Sequence, residues 1–293
     1  MRIAGHTMGT PEYTLVEAMH LFREIGLDGV EIIVQDGYRC ALGEDAPLAQ
    51  LAQVKETADA LGLKIPCLTP YRSKFNSLDP IVRQQEIDGI CKVIEYARVL
   101  GAGFIRIYAG SFAQDERDED GRKRDHLVDS MRLLGDRAQA SGVVLVMENH
   151  FNTMTVSASQ SIAMVEKIGH PAVGILYDQA NLTFTGHEDY DEAIALQAKE
   201  IRHVHVKDFV FTGKDHGFTA SDVSHPQQDE RKVATRIVGQ GILAWPSILR
   251  SLGERGYDGW LSLEYERRWH PQDIPDARIG MKESARYLRA LAT

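Results

Sequence analysis

The chain has 293 residues, 43% hydrophobic and 26% charged, with a formal net charge of -9 at pH 7. That length suits one large core, and a barrel of roughly 250 residues with modest insertions is among the few single-core solutions of this size. The acidic balance argues against a general nucleic-acid binder, which presents a basic face, and no run approaches the ~18 uninterrupted apolar residues of a membrane span.

Short apolar or β-branched runs alternate with longer amphipathic stretches, the pattern of a parallel sheet assembled from βα units. In chain order the predicted strands are residues 2–5, 29–33, 64–68, 104–108, 143–148, 173–177, 203–206 and 259–264. Predicted helices include 14–25, with Leu15, Ala18, Met19 and Phe22 at helical spacing and Gly26 at its end. Helices at 47–61, 87–100 and 159–168 stop at Gly62, Gly101 and Gly169, where a left-handed cap is expected. The phrases EIGLDGVEI, ARVLGAGFIRI and ERGYDGWLSLEY reuse one unit of helix end, glycine turn and buried strand. The expected architecture is a single (β/α)8 barrel over residues 1–293.

Two stretches interrupt the pattern. Residues 114–125 (QDERDEDGRKRD) are almost wholly charged and read as a solvated loop. Residues 212–236 form a long polar segment after the seventh strand, placed where a substrate-covering loop of a barrel would sit. The N-terminus MRIAGHTMGT does not resemble a secretory signal. Cys40, Cys67 and Cys91 follow no ligand spacing and read as reduced structural thiols. Both readings lead to the expectation of a cytoplasmic protein.

The chemistry lies at the strand ends. A buried parallel strand should be apolar along its length, yet four strands finish on a metal-ligand type. They are VVLVMENH at Glu148, VGILYD at Asp178, IRHVHVKD at His205 and GWLSLEYE at Glu264. These are the fifth to eighth strands, neighbours in a closed barrel. Three carboxylates and one imidazole suit one divalent ion, Mn²⁺ or Mg²⁺ foremost, with Co²⁺ and Zn²⁺ compatible. Without a cation or protons, three crowded carboxylates repel one another.

The phrases VLVMENH, GILYDQANL, IRHVHVKD and GQGILAWPSILRSLGERGYDGWLSLEYE resemble the xylose-isomerase-like TIM-barrel superfamily of sugar-phosphate isomerases and epimerases. The resemblance implies that Glu148, Asp178, His205 and Glu264 hold the metal. It further implies that Glu148 and Glu264 act as paired acid and base on a small sugar, keto-sugar or polyol, through an enediolate. A homodimer or homotetramer is the family-level expectation for assembly. ENHFNTMT also resembles the ExHxNT phrase of 3-dehydroshikimate dehydratase-like members, and C-glycoside-cleaving members share the histidine two residues after the glutamate. A lyase is therefore the alternative activity.

Departures narrow the resemblance. Tagatose-epimerase-type members place a histidine where Asn181 stands and an arginine where Phe211 stands. The additional histidines of endonuclease IV are missing. Further candidates follow from strand alternation. His203 and Lys207 share the face of His205, His203 as a core histidine and Lys207 as a contact for a substrate oxyanion. His150 is a second acid/base candidate. Asn181, His6 and Tyr108 are expected to line the substrate pocket. Arg106, charged within the apolar run FIRIY, needs a carboxylate or a ligand as partner; Glu31 is the expected carboxylate, and Arg106 is also a candidate substrate contact.

Overall fold

The computed structural model describes residues 1–113, 116–213 and 233–291. Eight parallel strands close into a barrel. They are β1 (Arg2–His6), β2 (Gly29–Val34), β3 (Cys67–Pro70), β4 (Phe104–Ile107), β5 (Val144–Glu148), β6 (Val173–Tyr177), β7 (Ile201–Val206) and β10 (Trp260–Leu263). Closure is made by β10, which pairs Leu261 with Val204 on one side and with Ile3 on the other. No barrel strand is left with an unpaired edge.

Around the barrel lie α1 (Leu15–Glu24), α2 (Leu48–Leu61), α3 (Pro80–Leu100), α4 (Arg122–Ala140), α5 (Ala158–Ile168), α6 (Gln179–Gly186), α7 (Tyr190–Gln197), α8 (Trp245–Glu254) and α9 (Ala277–Leu291). The first helix shows why these segments fold as they do. Thr14 and Glu17 form a reciprocal capping box at its start, and Leu15, Ala18, Met19, Leu21 and Phe22 turn to the core. Burying a side chain such as Phe22 contributes roughly 1.5–3 kcal/mol. Gly62 closes α2 at φ 67°, a left-handed position that glycine occupies without the penalty other residues incur.

Three departures from the predicted elements exceed two residues. α3 begins at Pro80, seven residues before the predicted start at Ile87. Its first two turns face solvent, so they carry no apolar period; Asp79 caps them and Pro80 supplies a pre-set φ. The third strand starts at Cys67 and not at Lys64, because Lys64 makes only an isolated bridge to Gly29 and Pro66 has no N–H for the ladder. The third change falls in the predicted loop 212–236. Val233–Arg236 is strand β9, paired antiparallel with β8 (Asp208–Phe211). Residues 214–232 of that loop, and 114–115 of the charged one, lie outside the described residues.

The apolar core fills the space between barrel and helices as one main cluster. Inside the barrel the population differs. His6, Glu31, Thr69, Arg106, Glu148, His203, His205, Ser262 and Glu264 are all buried. This concentration of polar side chains on the inner face requires a network of partners or a ligand.

Candidate metal centre and active site

Each of the four proposed donors sits at the C-terminal end of a buried strand. Glu148 is the last residue of β5, His205 the penultimate residue of β7. Glu264 follows β10, fixed there by its N–H donating to the Val206 carbonyl at 3.0 Å. Asp178 follows β6 and caps α6: its Oδ1 accepts from the Asn181 N–H at 3.0 Å. Capping accounts for an aspartate at that point in the chain, but it uses only one oxygen. The other, Oδ2, lies 3.0 Å from Lys207 Nζ.

Glu148, Asp178, His205 and Glu264 are all buried, and one ligand atom from each can be chosen so that all four lie within 4.8 Å of one another. His205 shows how well the set fits a cation. Its Nε2 lies 3.0 Å from Glu31 Oε1, and an ionised carboxylate can only accept, so Nε2 carries the proton. A neutral ring would then present the Nδ1 lone pair to Glu148 Oε1 at 3.3 Å and Glu264 Oε2 at 3.5 Å. A lone pair facing two carboxylates is repulsive unless a proton or a metal ion lies between them. Glu148 Oε2 is likewise buried without a hydrogen-bond partner. The residues fit a divalent ion with oxygen-dominated ligation.

The titration behaviour of the cluster follows from its crowding. Burial pushes the Asp178 carboxyl up to about 7 against the pull of Lys207. Burial opposes protonation of His205, yet Glu264 and Glu31 raise it well above the ordinary histidine value. Burial also works against ionisation of Glu264, but Lys207 and His205 hold it well below the usual carboxylate range. Lys207 is itself raised, the attraction of Asp178 and Glu264 outweighing its desolvation.

The other predicted pocket residues fall around this cluster. Lys207 Nζ donates to Glu264 Oε2 at 2.7 Å, an arrangement more central than a remote substrate contact. Asn181 Nδ2 donates to the Asn149 carbonyl at 2.8 Å and lies 3.1 Å from Asp178 Oδ2 and 3.4 Å from Glu148 Oε1. Its Oδ1 is buried without a partner. The His150 ring stands edge-on to Tyr108 with centroids 4.6 Å apart, and its Nδ1 lies 2.8 Å from the Phe151 carbonyl. Burial lowers its pKa. Burial likewise pushes the Tyr108 hydroxyl up to about 12. His6 Nδ1 accepts from the Met8 N–H at 3.1 Å, and burial lowers its pKa to about 4.

One expected pairing is corrected. Glu31 does not meet Arg106. It accepts from Thr69 Oγ1 at 2.6 Å, from His203 at 2.8 Å and from His205 at 3.0 Å. Arg106 turns instead to Glu148, with Nε 3.5 Å from Oε2, and its guanidinium covers the rings of Tyr108 and Tyr71 at 3.8 and 4.8 Å. The reason is register. Arg106 stands opposite Val146, two residues before Glu148 on the neighbouring strand, whereas Glu31 on β2 reaches the imidazoles of β7. His203 is buried as expected of a core histidine.

Two contributors were not singled out from sequence. Glu266 lies 3.5 Å from Lys207 Nζ, and burial raises its pKa despite that lysine. The alternation that groups His203, His205 and Lys207 would have flagged it two residues after Glu264. Tyr71, one residue beyond β3, carried no such signal.

A closed (β/α)8 barrel with three carboxylates and an imidazole gathered at its C-terminal mouth defines a class of metal-capable barrels. The chain belongs to the xylose isomerase-like TIM-barrel family, whose model matches residues 19–291. It is similar to inosose dehydratase of Geobacillus thermodenitrificans (strain NG80-2), 29% identical over 143 residues, 49% of this chain and 47% of that protein. The chain thus spans about half the length of the curated relatives it matches. Among solved structures, it is similar to the probable 3-DHS dehydratase AsbF of Bacillus anthracis, with TM-score 0.78, 16% identity and 99% of each chain covered. It is also similar to the 3-keto-D-glucoside 4-epimerase YcjR of E. coli, with TM-score 0.76, 18% identity and 99% of each chain covered. These two likenesses are of fold. Among the described residues no helix is long and apolar enough to cross a membrane.

Proposed function

We propose that the chain is a divalent-metal-dependent enzyme that removes a proton beside the carbonyl of a small polyhydroxylated ketone, and that it carries this through to loss of water. Glu148, Asp178, His205 and Glu264 hold the ion; Mn²⁺ or Mg²⁺ suits their oxygen-rich set best. When bound, such an ion polarises the carbonyl and acidifies the adjacent C–H.

The observation that carries the elimination reading is the inequivalence of the two glutamates. Glu148 Oε2 is buried with no hydrogen bond, Arg106 Nε standing 3.5 Å away, and so keeps a lone pair to take a proton. Glu264 Oε2 is engaged by the Lys207 ammonium at 2.7 Å. Moving a proton from one face of a carbon to the other needs two comparable carboxyls. Elimination needs a base on one side and a proton-rich group on the other. Glu148 takes the α-proton, the C–H electron pair becomes the new C=C bond, and the β-hydroxyl departs. It leaves as water with a proton from the Lys207–Glu266 side. Arg106 beside Glu148 keeps that carboxylate charged before transfer, while Asn181 and His150 orient the substrate hydroxyls. Tyr108 and His6 complete the wall. The name of the Geobacillus relative supports the same direction, since an inosose is a cyclic polyhydroxy ketone.

The epimerase reading is second, and one observation favours it. Both glutamates reach His205 Nδ1, at 3.3 and 3.5 Å, so both border a single metal position. Incubating Mn²⁺-loaded protein with an inosose and a panel of ketohexoses in D₂O separates the two readings. Loss of one water by mass spectrometry supports elimination. Deuterium incorporation with no loss of water supports the epimerase instead. Glu148→Gln should abolish either.

A further inference from the structure

We infer that Glu31, buried in β2 beneath the metal position, is a positioning residue that fixes which nitrogen of His205 faces the ion. The inference rests on the proposed metal centre but assigns a role to a residue outside its donor set. Glu31 is an acid in a strand whose six residues are all buried, and an uncompensated carboxylate in such surroundings is expensive. The structure surrounds it with donors. Thr69 Oγ1 (2.6 Å) and His205 Nε2 (3.0 Å) address Oε1, and His203 Nε2 (2.8 Å) addresses Oε2. His6 Nε2 stands 3.8 Å from Oε1 without a hydrogen bond. Strands β1, β2, β3 and β7 therefore converge on one carboxylate.

With an ion bound His205 must be neutral, and a neutral imidazole has one N–H and one lone pair. A carboxylate accepts and cannot donate, so the N–H must be on Nε2 and the lone pair on Nδ1. Nδ1 is the atom that faces Glu148 and Glu264. Reversing the tautomer would place a lone pair against Glu31 and an N–H against the metal position. Outer partners of this kind set ligand orientation, and their loss typically costs about 10- to 100-fold in metal affinity.

Glu31→Leu removes both acceptor oxygens at similar volume, leaving the Nε2–H of His205 without the carboxylate that fixes it. Zn²⁺ binding by titration calorimetry, using Zn²⁺ alone, is expected to weaken about 10- to 100-fold in this variant. The melting temperature of its metal-free form monitors the fold. Glu148→Gln is run beside it. Wild-type affinity in Glu31→Leu together with lost binding in Glu148→Gln overturns the role of Glu31 alone. Wild-type affinity in both overturns the metal centre itself. A second measurement does not depend on the variant folding: ¹⁵N-histidine NMR of the Zn²⁺-loaded wild type. It should show one imidazole ligated through Nδ1 with a slowly exchanging Nε2–H. Ligation of that ring through Nε2 contradicts the inference.

Discussion

At the scale of single residues, two of the four proposed ligands hold protons that an ion must displace. Burial pushes Asp178 up to about 7, and Glu264 and Glu31 raise His205 despite its desolvation. Both folded-state values lie above the unfolded ones. Their contribution to the metal-free fold is therefore present at low pH and is lost as pH rises through the folded values. Metal binding has the opposite sign. Affinity for Mn²⁺ should climb as pH rises toward about 7, the folded value of Asp178, by about tenfold per pH unit for each proton released. Calorimetry in buffers of different ionisation enthalpy measures both affinity and proton release; an affinity flat with pH would count against this protonation pattern. Lys207→Met makes a separate test. Removing the ammonium takes away the cation that bridges Asp178 and Glu264, at a cost of about 3–5 kcal/mol to the metal-free fold. Mn²⁺ should restore most of the lost stability, and turnover should stay low because the proton-donating side is gone. Denaturant unfolding with and without Mn²⁺ checks the first expectation, and the D₂O assay the second.

At the scale of elements, the periodic segments were the legible ones. α1 declared itself through Leu15, Ala18, Met19 and Phe22, and all four are buried in it. Thr14→Ala should remove the capping hydroxyl for about 1 kcal/mol, and Phe22→Ala should cost about 3–5 kcal/mol. Neither change touches a proposed donor, so Zn²⁺ affinity should be unaltered in both, as thermal melts and calorimetry would report. What was not legible has a physical cause in each case. The first turns of α3 lie in solvent and so have no apolar rhythm. β9 is a four-residue strand paired with an equally short β8 across residues 212–232, and so short a pair with no tight turn joining it leaves no local mark. The contact of Arg106 with Glu148 in place of Glu31 depends on the stagger between neighbouring strands. Sequence spacing carries no information about stagger.

At the scale of the whole molecule, closure of the barrel turns four separate strand ends into one site. Glu148, Asp178, His205 and Glu264 were readable because each breaks an otherwise apolar run. Their convergence was readable because parallel strands in a barrel present their C-terminal ends to one mouth. The hub at Glu31 was harder to see: one acid in GVEII has no nearby partner in sequence, and its histidines arrive some 170 positions later. The division between Glu148, whose Oε2 has Arg106 nearby but no hydrogen bond, and Glu264, hydrogen-bonded by Lys207, lies in three-dimensional packing and leaves no mark in the sequence. It is this division that inclines the proposed chemistry toward elimination.

The most direct test is a crystal soaked in Mn²⁺ and measured at the manganese absorption edge. The expected result is one anomalous peak bounded by carboxylate oxygens of Glu148, Asp178 and Glu264 and by Nδ1 of His205, each about 2.0–2.2 Å away. A map with no peak among these side chains at saturating Mn²⁺, and with the Lys207 ammonium alone bridging Asp178 and Glu264, would contradict it.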